Sequence, residues 1–318
     1  MSTGNPAAAS WMLQQERSNL AILKLMVWIS LTFGRALGRL VLYGIAAYFL
    51  LFAPAARKAS REYLGRALGR WAEWSDGFRH VLSFASTIHD RIYLLNDRFD
   101  LFDIEVIGAD ALCASLDRQP GALLIGAHLG SFEVLRAVGR GRAGLKVAML
   151  MYEENARKIN ATLEVINPKA TEDIIALGRM ESMLEVRDKL DKGYLVGMLA
   201  DRGLDGDAIP QGDLSARPFH LRGAVDCEFL GKMAPFPLGP FRMAALLQRP
   251  VFFMAGLYLG GNRYQIHFEQ LADFSATSRS EREAAMRAAQ QHYVERLNHF
   301  CRLAPYNWFN FYDFWKKG

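Results

Sequence analysis

Cysteine is nearly missing from this chain. Its 318 residues hold three, Cys113, Cys227 and Cys301, far apart and with no C-x-x-C pair. An odd, scattered set argues against a disulfide framework or a zinc site and fits a reducing, cytoplasmic setting. No G-x-x-x-x-G-K-[ST] loop and no H-E-x-x-H helix occurs, so neither a P-loop nor that zinc motif is present. Ser131 lies beside a glycine but lacks the G-x-S-x-G frame of a nucleophile elbow. "GRGRAG" at Gly139–Gly144 has dinucleotide-site glycine spacing, yet it follows a helical stretch and precedes a strand, the reverse of what such a site needs. No low-complexity linker divides the chain, and no nucleic-acid-binding module accompanies its basic residues. Nothing in the sequence calls for a metal or a redox cofactor.

The charge that is present is unevenly placed. The net charge is +5, but the first 80 residues hold ten Lys/Arg against four Asp/Glu, and the remaining 238 hold 28 against 29. The excess sits beside the most apolar part of the chain, where it would favour an anionic membrane surface. From Leu40 to Ala56 run 17 uncharged residues, at the low edge of what spans a bilayer. Arg35 and Arg39 interrupt the run just before it, with stems long enough to snorkel toward headgroups. The competing reading is a buried helical hairpin of a soluble protein. "GRALGR" occurs at Gly34–Arg39 and again at Gly65–Arg70 without surrounding similarity, so no repeat architecture follows. The region before about residue 105 reads as helical and membrane-proximal.

Beyond it the texture changes. "ALLIGA" at 122–127, "LKVAMLM" at 145–151 and "YLVGMLA" at 194–200 are short apolar runs of buried-strand type. "EDIIAL" at 172–177 precedes a helix that Gly193 is placed to stop. "PFRMAALLQ" reads as helix, and "PVFFMAGLYL" and "RYQIHFE" as strands. Met286, Ala289, Tyr293, Leu297 and Phe300 share one face of a closing amphipathic helix. Strands alternating with helices predict an α/β fold with a mixed, largely parallel sheet flanked by helices. The expected division is an anchoring region over 1–105 and an α/β domain over 106–318.

The chemistry concentrates in "GAHLGSFEVL" at Gly126–Leu135. His128 follows a buried strand, Gly130 permits a tight turn, and Glu133 enters a helix. In open α/β sheets, ligands bind at the carboxyl ends of strands. A histidine there with a carboxylate folding back on it is a general-base arrangement, the carboxylate orienting the ring and stabilising its cation. The bland alternative is a histidine capping the helix. Without a protein nucleophile, the natural chemistry is proton abstraction from an acceptor hydroxyl or amine, which then attacks an activated acyl carbonyl. Asp201 after a strand reads equally as a turn cap, Arg157 as an exposed helix residue or a substrate contact, and Lys232 beside Gly231 as a phosphate contact or a solvated side chain.

Four stretches in order carry a resemblance: "GAHLGSFEVLRA", "MLMYEENARKIN" at 149–160, "GYLVGMLADRGL" at 193–204 and "FLGKMAPFPLGPFRMAALLQRPV" at 229–251. Over roughly residues 10–315 the chain resembles the bacterial late acyltransferases of lipid A biosynthesis, within the wider lysophospholipid acyltransferase superfamily. The family's H-x-x-x-x-[DE] falls on His128 and Glu133, its D-Q appears as Asp201 and Arg202, and its F-F-G as Phe229, Leu230 and Gly231. The arginine at 202, the ending "YNWFNFYDFW" at 306–315 and the opening "WMLQQERSN" at 11–19 look like a subgroup associated with aryl polyene-type pathways, which leaves the acceptor open. The resemblance implies a bacterial inner-membrane acyltransferase, its catalytic domain cytoplasmic-facing, that takes its acyl group from acyl carrier protein or coenzyme A. It implies His128 and Glu133 as catalytic, and Gly130, Ser131, Arg157, Asp201, Arg202, Gly231 and Lys232 as substrate-binding. A thioesterase using the same pair on water, or a non-catalytic lipid-binding assembly protein, would share these features.

Overall fold

A central sheet of seven strands organises the chain, in the order β1-β9-β8-β2-β5-β3-β4. The computed structural model describes residues 6–135, 145–152, 166–167, 174–177, 180–202 and 223–315. The strands are β1 (Asp103–Ile107), β2 (Ala122–Gly126), β3 (Val147–Tyr152), β4 (Ile174–Leu177), β5 (Leu195–Leu199), β8 (Pro250–Gly260) and β9 (Arg263–Asp273). Only β8 and β9 pair antiparallel; the other five pairings are parallel. β2 lies between β8 and β5 and is buried along its whole length, as an apolar run without alternation requires of a strand covered on both faces. A separate hairpin joins β6 (Ala224–Phe229) to β7 (Lys232–Pro237).

Seven helices are described: α1 (Pro6–Phe52), α2 (Pro54–Leu68), α3 (Trp74–Leu95), α4 (Ala109–Arg118), α5 (Met180–Asp191), α6 (Gly239–Leu247) and α7 (Arg282–Leu303). Gly193, expected to stop α5, takes φ 80° just past its end, with its N–H bonded to the Leu190 carbonyl. The closing helix α7 buries the five residues anticipated for its apolar face. Side chains of β2 alternate between two cores. Leu123 and Ile125 join Tyr293, Leu297 and Phe300 of α7, whereas Ala122 and Leu124 join Ile92 and Leu95 of α3 and Leu112 of α4.

Three features go beyond the expectations. β1, which pairs with β9 from Asp103 to Ile107, escaped notice, and the boundary drawn after residue 105 falls inside it. The N-terminal region also packs on the α/β part: Tyr63, Leu64 and Ala67 of α2 lie in the same core as α7. The β6–β7 hairpin occupies the stretch valued only as a motif, with Leu230 and Gly231 at positive φ forming its two-residue turn.

Arg35 and Arg39 do not snorkel outward. Arg35 holds the buried carboxylate of Asp90 on α3 with two bonds of 2.7 and 2.8 Å, and Arg39 lies 3.5 Å from it. Tyr264 of β9 donates a third bond of 2.7 Å, and Arg39 bonds the Tyr258 hydroxyl of β8. A buried carboxylate is tolerated because these donors surround it. The middle of α1 is thereby tied to α3 and to the sheet. Gly34, at φ 81° and ψ 170°, breaks the helical path just before the tie.

Candidate active site

The site forms where β2 and β5 end side by side. Their register pairs Gly126 with Leu199, so two residues further on His128 stands beside Asp201. Tyr293 and the Ala200 N–H both bond the Gly126 carbonyl, at 2.9 and 3.0 Å, and fasten the two strand ends together. The His128 turn is pinned from outside by the C-terminal segment. Phe309 N–H donates to the His128 carbonyl at 2.7 Å, and Gly130 N–H to the Asn307 carbonyl at 2.8 Å. The Asn307 side chain in turn bonds both the N–H and the carbonyl of Tyr258, at 2.7 and 3.0 Å.

Gly130 has a steric reason to be glycine. At φ 70° a Cβ there would lie 1.9 Å from the Gly256 carbonyl oxygen, so the turn and β8 approach as closely as bare backbone permits. Ser131 is buried and gives its N–H to that same carbonyl at 2.8 Å. The backbone N–H groups of Gly130 and Ser131, two residues that the resemblance implies for substrate binding, hold the turn.

The carboxylate that orients His128 is Asp201, which corrects the expectation for Glu133. Asp201 Oδ1 lies 2.9 Å from His128 Nδ1, and Asp201 Oδ2 accepts the His128 backbone N–H at 3.1 Å and the Trp308 indole N–H at 2.9 Å. Glu133 is buried and engaged by Arg91 of α3, Nε to Oε1 at 2.9 Å and Nη2 to Oε2 at 3.2 Å. Among the described residues no hydrogen bond joins Glu133 to His128. Five residues of separation carry Glu133 into the helix that leaves the turn, and its carboxylate meets α3 there.

Asp201 is wholly buried. Burial drives its carboxyl upward, but the charge and hydrogen bond of His128, the neighbouring Arg202 and the Trp308 indole outweigh that and hold it at about 2. An ionised Asp201 places the His128 proton on Nδ1 and leaves the Nε2 lone pair free. The His128 side chain is 35% exposed, so a ligand can reach it. Among the described residues no serine, threonine or cysteine hydrogen-bonds to His128, and no cluster of three metal-ligating side chains occurs. The chain matches no family model and no curated protein.

The remaining candidates separate by position. Arg202 follows Asp201, donates to the Phe309 carbonyl at 3.1 Å and lies over the Tyr312 ring at 5.0 Å, so it belongs to this constellation. Gly231 and Lys232 sit at the β6–β7 turn, where Lys232 pairs with Glu62 of α2 at 3.6 Å; no described contact links them to His128. Arg157 lies outside the described residues.

Sequence reasoning missed Trp308, Asn307 and Arg91. Trp308 packs within the aromatic ending, fully buried against Tyr63, Phe229 and Phe314. It also extends the polar chain. Its carbonyl meets Nε2 of buried His80 at 2.8 Å, and His80 Nδ1 meets Ser60 Oγ at 2.7 Å.

Burial lowers His80 to about 4, although its bond to the Trp308 carbonyl works the other way. Burial likewise lowers His89 to about 4, with Arg35 and Arg39 adding to that and Asp90 opposing it. Both rings are thus neutral when folded and titrate near 6.5 when unfolded. Between those values the unfolded chain binds protons that the folded chain does not, so stability falls as pH drops from about 6.5 to 4 and these two groups add no further slope below. The thermal midpoint of the detergent-solubilised protein is expected to fall steadily over that window; a flat midpoint from pH 6.5 to 4 would contradict neutral burial of the two rings.

Proposed function

We propose that this chain is a membrane-associated acyltransferase, moving a fatty-acyl group from an acyl thioester to a hydroxyl or amine of a lipid-like acceptor. The observation that carries the reading is the reachable His128 at a strand end, its Nδ1 held by ionised, buried Asp201. His128 Nε2 takes the acceptor's proton as the acceptor oxygen or nitrogen attacks the thioester carbonyl. The carbonyl becomes a tetrahedral oxyanion, which the Arg202 guanidinium is charged to stabilise. Collapse breaks the carbon–sulfur bond, and the departing thiolate recovers the proton from His128. Asp201 stabilises the imidazolium between the two transfers. Glu133, in this reading, holds the turn to α3 through Arg91.

Two further observations support an amphiphilic substrate. Phe84 and Ile88 are exposed on α3, and the Phe84 ring stands 5.2 Å from Phe309, the neighbour of the His128 carbonyl. Val27–Phe52 of α1 is long and apolar enough to cross a membrane, with only 17% of its most apolar window buried. The resemblance to late acyltransferases of lipid A biosynthesis adds the bacterial inner membrane, a cytoplasmic-facing site, and acyl carrier protein or coenzyme A as the donor's carrier.

The test is comparative. A host strain lacking the gene and the same strain rescued by the wild type are compared by lipid mass spectrometry. The purified chain is also incubated with a radiolabelled acyl thioester and the host's lipid extract. A lipid heavier by one acyl group, formed in both settings, is the expected result. Release of free acid without acylated lipid would replace transfer by hydrolysis, and no turnover in either setting would favour a non-catalytic lipid-binding role.

A further inference from the structure

The apolar stretch Val27–Phe52 has the length to cross a bilayer, but its neighbours follow it along that length. Val27, Ser30, Leu42, Ala46 and Leu50 are buried on one side, and Ser30 accepts a bond from Tyr93 of α3 at 2.8 Å. At mid-length Arg35 and Arg39 reach Asp90 and Tyr258, and Arg35 also bonds the Gly261 carbonyl in the turn between β8 and β9 at 2.5 Å. A spanning helix would carry α3, with its Asp76, Asp90 and Arg91, and this sheet turn into roughly 30 Å of hydrocarbon. That cost is avoided if the helix lies flat.

The other side of Val27–Phe52 is apolar and open. Trp28, Phe33, Leu40, Tyr48, Phe49 and Phe52 are each more than half exposed. Past the end of α1, Trp71 and Trp74 are 77% and 52% exposed, and Trp74 lines a small cleft with Leu50 of α1. Arg57 caps the Leu50 and Leu51 carbonyls at 2.8 and 3.2 Å and stands 5.0 Å from the Trp74 ring. Arg61 lies 5.7 and 5.8 Å from the rings of Trp71 and Trp74, and Lys58 beside it is exposed. The basic residues further along are spent within the protein: Arg66 on Trp315 and Glu62, Arg70 on Asp76. Exposed indoles beside Lys58 and Arg61, just past the end of an exposed apolar helix face, match the headgroup zone of an anionic bilayer.

We infer that α1 lies in the plane of one leaflet, its open face in the acyl region, Trp71 and Trp74 at headgroup depth, and Lys58 and Arg61 on the phosphates of anionic lipid. This rests on membrane association alone and not on acyl transfer, so neither readout below requires activity. In the first, Ser18→Cys and Ala55→Cys are introduced separately into a chain carrying Cys113→Ser and Cys227→Ser. Membrane vesicles of both orientations are then treated with a membrane-impermeant maleimide. Labelling of both positions from the same face is expected; labelling from opposite faces overturns the in-plane helix. In the second, the purified full chain is floated with vesicles of neutral phospholipid alone or with anionic phospholipid added. The doubly substituted Lys58→Gln, Arg61→Gln chain is expected to bind anionic vesicles about 30-fold more weakly than wild type, the effect of two cations at such a surface, and neutral vesicles equally well. Unchanged binding to anionic vesicles would overturn the phosphate contact.

Discussion

His128→Ala is expected to lower acyl transfer by about 10⁴-fold, the upper end of what a positioned general base contributes. No described neighbour can take its place. Asp201 is fully buried behind the ring, Glu133 is buried against Arg91, and Ser131 is buried in the turn. The fold tolerates the change, because the turn's bonds run through backbone that alanine keeps: His128 N–H to Asp201, Phe309 N–H to the His128 carbonyl, and Gly130 N–H to the Asn307 carbonyl. Expression level and thermal midpoint therefore serve as controls for a specific loss. The assay is transfer of radiolabelled acyl groups by purified protein, alongside rescue of the deleted strain. Wild-type turnover by the alanine variant would remove His128 from the chemistry.

Much of the sheet was legible because its strands are apolar runs bounded by turn residues. β2, β3, β5 and β8 each show such a run, β9 shows polar–apolar alternation instead, and the end of β2 is where His128 drew notice. β1 was not legible. Its Asp103, Glu105 and exposed Ile107 alternate at the sheet's edge, and a half-exposed edge strand of five residues has little apolar signal to offer. The partner of His128 was misread for a related reason. A search along the chain finds carboxylates at short offsets, and it found Glu133. Asp201 lies 73 residues away and arrives through the parallel pairing of β2 with β5. The information was present as two strands each followed closely by a polar side chain, but only their adjacency joins the two.

The same limit explains Arg35 and Arg39. Charge inside an apolar run suggested headgroups, since a sequence does not display Asp90 and Tyr264 folded against it. Trp308 was hidden differently. In an ending with seven aromatic residues among ten, one indole N–H aimed at a carboxylate looks like its neighbours until the carboxylate is located. Packing and the polar contact are not alternatives at this residue, because the packing on Tyr63 and Phe229 is what aims the indole N–H at Asp201.

Asp201→Asn should cost nearly as much as losing the base, and through a specific geometry. Oδ2 of Asp201 receives two donors, the Trp308 indole N–H and the His128 backbone N–H. In the variant the amide oxygen must take that place, since an NH₂ group there would face two other donors with none of the three able to accept. The amide NH₂ is thereby turned toward His128 Nδ1, which can accept its hydrogen only by giving up its own. The ring proton moves to Nε2, the atom that must be bare to receive the acceptor's proton, and the favourable charge on the imidazolium is lost as well. In serine proteases the corresponding change lowers turnover by about 10⁴-fold with the structure intact, and a loss of about 10³- to 10⁴-fold is expected here. Two readouts separate this from simple misfolding. The ring's proton-bearing nitrogen, read by ¹⁵N NMR on labelled histidine, should shift from Nδ1 to Nε2. Activity should also recover in part at high pH, where more of the acceptor is already deprotonated and needs no base. Wild-type activity in Asp201→Asn, or a ring that keeps its proton on Nδ1, would mean that this carboxylate does not set the state of the base.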